Sequence, residues 1–176
     1  MKRLLAVVLS AAAVAACNTT SSIGPPPPPV EPPSAAVFRP QDFAWSTASG
    51  SASIAGALTY RAGQVRYSCN GGDVVLTPET LWSRRRMTIL YGSPSSAAVP
   101  VDAVRARTPS APSGDYAAFV RHAPCDQNNR FNFSGLPSGA WFVITVAKPV
   151  GAQGASVAVM RRIETRNGQT RNVTLN

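Results

Sequence analysis

The sharpest cluster of reactive side chains is Arg84-Arg85-Arg86, just downstream of Trp82. Guanidinium forks match carboxylate and phosphate geometry, and an indole can stack on a sugar ring. Trp82, Arg84, Arg85 and Arg86 are therefore the candidate residues for holding a glycan or polyanion. The same triplet also reads as a solvated turn, the usual state of a charge run. His122 is the only histidine. A Ser–His–Asp set can be written from the many serines with Asp73, Asp115 or Asp126, but no G-x-S-x-G elbow supports it. One histidine without an HExxH motif builds no histidine metal site, and 8 acids in the whole chain make a carboxylate cage for calcium hard to assemble. The expectation is a non-enzymatic chain with no catalytic residue, metal or cofactor, and with His122 a strand-end side chain.

The N-terminus carries a different chemistry. Lys2 and Arg3 supply positive charge, Leu4 to Val14 a nearly unbroken apolar run, and small residues lead to Cys17. That order marks a secretory signal peptide, and the run is far shorter than the ~20 residues of a membrane span. Val14-Ala15-Ala16-Cys17 resembles the bacterial lipobox. The resemblance implies cleavage before Cys17 and acylation of that residue, with several chains giving durable membrane binding. Ala13-Val14-Ala15 alone also fits an ordinary cleavage site, which would release a soluble protein with a free Cys17. Asn18, where some systems use Asp for inner-membrane retention, favours a periplasm-facing anchor in the outer membrane. With Cys17 lipidated, Cys69 and Cys125 remain as an even pair in an oxidising compartment, and a disulfide between them is expected.

Residues 17–37 form a linker in which Pro25 to Pro29 run together before Pro32-Pro33. Such a stretch favours an extended polyproline rod at ~3.1 Å per residue. Residues 38–176, about 140 in number, match the commonest size for one domain. The chain carries a net charge of +9, two of which belong to Lys2 and Arg3. A basic exported protein points to an anionic envelope partner rather than nucleic acid. Lipopolysaccharide, peptidoglycan or an envelope protein fits that compartment, though an Arg-rich solvated surface explains the charge as well.

The domain reads as all-β, because short β-branched and aromatic bursts are separated by Gly, Pro, Ser and Asn. Strands are expected at 53–60, 64–69, 74–77, 116–121, 130–133 and 141–146. A closing hairpin is expected from 156–163 and 169–175 across Arg166-Asn167-Gly168. Residues 79–91 favour a short helix over a strand, capped by Ser83 and ended by Gly92, with Met87, Leu90 and Tyr91 on one face. Residues 93–114 read as a wrapping or mobile stretch with an extended piece at 99–107. Trp141 reads as core.

The run from Asp126 through Asn129, Phe131, Phe133, Leu136, Pro137, Gly139 and Trp141 to Val143 resembles the D-x-x-G-x-F-x-F-x-x-L-P-x-G-x-Y-x-V signature of carboxypeptidase regulatory-like domains. Asn129 stands where Gly is usual, and Asn tolerates left-handed φ. Val74, Leu76, Pro78 and Thr80 resemble a strand of the same family. The resemblance implies a prealbumin/Ig-like β-sandwich of about seven strands that is non-catalytic and accessory, adhesive or stabilising. The related transthyretin-like hydrolases carry several His and a C-terminal Tyr-Arg-Gly-Ser, and this chain has neither. The combined expectation is a membrane-anchored lipoprotein with a structural or interaction role, or else a glycan-binding module, with a hydrolase ranked third.

Overall fold

The computed structural model describes residues 37–151 and 153–176. Cys17, the expected leader and nearly all of the proline-rich linker lie outside the described residues. The rest is a β-sandwich of ten strands in two sheets, more than the seven expected, with a helical layer on one outer face.

The smaller sheet has three strands. β1 (Ala52–Leu58) lies between β7 (Arg130–Leu136), antiparallel, and β10 (Thr170–Leu175), parallel. The larger sheet is built around β8 (Gly139–Pro149). β8 pairs with β9 (Val157–Thr165) and with β4 (Asp73–Pro78), and farther along with β3 (Val65–Ser68). β5 (Ser96–Pro100) extends β9, β6 (Arg121–Pro124) extends β4, and the short β2 (Arg61–Ala62) extends β3.

Alternation along each strand builds the core between the sheets. Ile54, Phe131, Phe133 and Leu175 from the smaller sheet meet Val74, Leu76, Trp141, Val143 and Val159 from the larger. The only polar edge of Trp141 is satisfied: Nε1 donates to Thr165 Oγ1 at 3.0 Å, and Thr165 Oγ1 donates to Pro137 O at 2.7 Å. The disulfide Cys69–Cys125 forms as expected, with both residues buried and their Cα atoms 5.7 Å apart.

The outer face of the larger sheet is apolar too, which is why β8 reads as a continuous hydrophobic run. Phe142, Ala158 and Met160 are buried there under α1 (Leu81–Tyr91), with α2 (Val101–Arg107) beside it. α1 starts at a capping box. Thr80 Oγ1 accepts from Ser83 N at 3.1 Å, and Ser83 Oγ accepts from Thr80 N at 2.8 Å. Ser83 is thus the third helical residue rather than the cap, and Gly92 ends the helix in the left-handed region at φ 74°.

Residues 93–114 take the wrapping alternative, as β5, α2 and a 3₁₀ turn. Three further expectations are corrected. Most of the expected extended piece at 99–107 is helix. Val101 and Val104, three apart, pack α2 against the buried layer. Residues 117–119 form a 3₁₀ turn, and the strand starts only at Arg121. β9 and β10 are not a hairpin. β8 and β5 already pair with β9, so the Asn167-Gly168 turn carries the chain across to β1 in the other sheet. Ser53 fastens that arrival: its N–H donates to Gln169 O at 3.0 Å and its hydroxyl meets Thr170 Oγ1 at 2.7 Å.

The segment before β1 closes one end of the sandwich. A 3₁₀ helix, Pro40–Thr47, buries Phe43 and sets the Trp45 ring 4.9 Å from Trp141. Gly139 is required beneath it, because a Cβ there would overlap the Trp45 ring. Arg121 completes the closure, its guanidinium 5.8 Å over Trp141 and its Nη2 donating to Ser46 O at 2.9 Å.

Candidate functional site

The structure separates the residues that the sequence grouped. Trp82 is 1% exposed, so it cannot stack on a sugar. It sits in the first turn of α1, against Phe38, Phe43 and Tyr116, with ring centroids 5.2, 5.9 and 5.1 Å away. The Arg84–Arg86 triplet does not converge either, because successive helical side chains diverge by ~100°. Arg84 reaches back to Glu79 at 2.6 Å, and Arg85 stands in solvent. Arg86 turns inward, 5.7 Å over Trp82 and 5.5 Å over Tyr116, and donates to Pro112 O at 2.7 Å. Glu79, the ion-pair partner of Arg84, also accepts a hydrogen bond from Arg162 Nε at 2.7 Å, so its charge is shared between helix and sheet.

What these residues do is hold Tyr116. Clamped between Trp82 and Arg86, Tyr116 forms part of a groove of about 420 Å³ on the outer face of the larger sheet. The floor follows from strand register. His122, Val75 and Ile144 stand directly opposite one another on β6, β4 and β8. Met87, Leu90 and Tyr91 of α1 form one wall, and the Gly114–Ala117 stretch with Val120 forms the other.

The polar side chains of the groove are two phenols, a carboxylate, an imidazole and the buried hydroxyl residue Thr77. Burial, reinforced by Tyr116 and opposed by Arg86, pushes the Tyr91 hydroxyl up to about 12. Tyr91 is therefore a neutral donor at ordinary pH. Asp115 lies exposed at the rim. His122 Nδ1 lies 3.9 Å from Asp73 Oδ2, too long for a hydrogen bond, and both side chains are mostly in solvent. Asp126, the third acid of the paper triad, is used by its own turn, accepting from Asn128 N at 2.8 Å and Arg130 N at 2.7 Å. Among the described residues no three His, Cys, Asp or Glu side chains cluster as metal ligands would. An apolar floor ringed by hydrogen-bonding groups suits a ligand with one apolar and one hydroxylated face.

Tyr91 and Tyr116 were not recognisable as a pair from sequence. The helical spacing puts Met87, Leu90 and Tyr91 on one face, but it does not say what that face meets. Tyr116 was read as the start of a strand. The expected lipidation of Cys17 lies outside the described residues. Asn129 does adopt φ 60°. Its Oδ1 accepts from Ser68 Oγ at 2.6 Å and from Cys69 N at 3.0 Å, fastening the turn beside the disulfide.

Comparison with protein-family models finds no match, and neither does comparison with curated proteins. Among solved structures, the chain is similar to a suspected carbohydrate-binding protein from Pseudomonas aeruginosa. The two are 21% identical, with a TM-score of 0.57 over 78% of this chain and 96% of the other. At that identity, the likeness establishes a shared fold.

Proposed function

We propose that this chain is a non-enzymatic envelope lipoprotein, anchored at the outer membrane through Cys17, whose sandwich binds a glycan in the groove between α1 and residues 114–117. The observation that carries the reading is the groove itself: apolar Val75 and Ile144 beside His122 on its floor, Met87 in its wall, and the polar groups of Tyr91, Tyr116 and Asp115 around them. Sugars present that mixture, with C–H faces for apolar and aromatic surfaces and hydroxyls for hydrogen bonds. The fold shared with a suspected carbohydrate-binding protein supports it. Peptidoglycan and lipopolysaccharide are the glycans of the compartment that the leader implies.

The test is binding of the full-length protein, in detergent, to peptidoglycan fragments and to lipopolysaccharide. Tyr116→Ala, and separately Asp115→Asn with His122→Gln, should weaken binding about tenfold, or ~1.4 kcal/mol. The second variant changes only exposed side chains, so its folding is not in question. Arg85→Ser should bind like the wild type. Unchanged affinity in both groove variants would sink the reading. Cys17→Ser should move the protein from the membrane to the soluble fraction.

A further inference from the structure

We infer that the end of the sandwich beside β2 and β3 is a second, anion-selective site, which takes a carboxylate or phosphate carried on a sugar ring. The inference does not rest on the groove reading. Its starting point is an electrostatic mismatch. Arg61 on β2 and Arg66 on β3 stand directly opposite each other in the antiparallel pair. Like charges in that position repel. Among the described residues, the ion pairs involve Arg84, Arg105, His122 and Arg162, and none reaches Arg61 or Arg66.

The two arginines border a cleft of about 490 Å³ whose lining holds no carboxylate. Tyr60 and Tyr67 form an aromatic wall, edge to face with centroids 5.1 Å apart. Asn70, Gln127 and Asn129 add amides. Asn129 spends its oxygen on Ser68 and Cys69, so its Nδ2 remains available as a donor. The Cys69–Cys125 bridge fixes the turns that carry Asn70 and Gln127. Two forked guanidiniums, amide donors and a tyrosine face, with no competing acid, recognise an oxyanion attached to a ring.

The experiment is calorimetric titration of the full-length protein in detergent with four probes: a galacturonate trimer, glucose 6-phosphate, a neutral glucose trimer and inorganic phosphate. The galacturonate trimer, glucose 6-phosphate or both should bind, more weakly as salt rises, and whichever binds identifies the source of the anion. The R61Q/R66Q double variant should lose at least tenfold in affinity, while Arg85→Ser, which removes a solvent-facing arginine elsewhere, should keep it. The ligand-free double variant should melt no lower than the wild type, because it loses a repulsive pair. A lower melting temperature would assign the arginines to the fold and overturn the site. So would absence of binding, double-variant affinity within twofold of wild type, a neutral trimer that binds equally well, or inorganic phosphate that matches the sugar phosphate.

Discussion

The smaller sheet turns Ser53, Ala55, Ala57, Asn132 and Asn172 outward, while the larger sheet turns Phe142, Ile144, Ala158 and Met160 outward. The first set is small or polar and no helix covers it: Asn132 and Asn172 are exposed, and Ser53, Ala55 and Ala57 are half-buried. The second must be covered, and α1 and α2 cover it. Both sheets bury the same kind of inner face, so the difference lies entirely in the outer residues of alternating strands. Cover is also incomplete. Where α1 stops at Tyr91 and the chain returns through Tyr116, the sheet floor is left as a groove. The smaller sheet's outer residues also border a hollow, of about 640 Å³, but strands and a turn line it without any helix residue. The layer that solves the burial problem is what walls the candidate site.

The largest test of that contrast is Phe142→Ala, which empties the helix-facing side of the central strand. A fully buried Phe lost to Ala costs ~3–5 kcal/mol, and chemical denaturation should show a loss in that range. A loss under ~1 kcal/mol would mean that the helical layer does not depend on the sheet. A medium effect is expected from pH. Tyr91 titrates near 10.0 when free and near about 12 in the fold, chiefly because it is buried. The fold therefore favours the protonated phenol. That contribution is whole below the unfolded value and is lost as pH rises through the folded one. Between those limits, wild-type stability should fall more steeply than that of Tyr91→Phe. Parallel curves would place the phenol in solvent. The smallest effect belongs to the bare face: Asn172→Ala should shift the denaturation midpoint by less than ~0.5 kcal/mol.

Much of the fold was legible from local pattern. Phe131 and Phe133 alternate, so β7 and its buried face followed directly, and Asn129 took the left-handed turn expected of it. The Cys69–Cys125 bridge followed from parity. Two local readings failed, with residues 101–107 helical and 117–119 a 3₁₀ turn, and the larger failures were long-range. Asn167-Gly168 signals a tight turn, yet nothing local reveals that β5 occupies the edge of β9 and diverts β10 to β1. Trp82 and the arginines were grouped by adjacency, but a helix rotates neighbours apart. The groove joins Val75, Tyr91, Tyr116 and His122, which are brought together only by strand register and helix docking.

The Cys69–Cys125 bridge spans 56 positions, and that interval contains β4, α1, β5, α2 and β6. The helical layer and all of the groove's lining except Ile144 are thus carried on a covalently closed ring. If α1 and α2 lift off the sheet, the ends of the ring stay together and re-docking remains a short-range search. A protease cut at an exposed point in the ring, such as Arg85 or Arg105, would leave both pieces attached to one scaffold. Such a nicked molecule would keep its mass until a reductant reached the bridge.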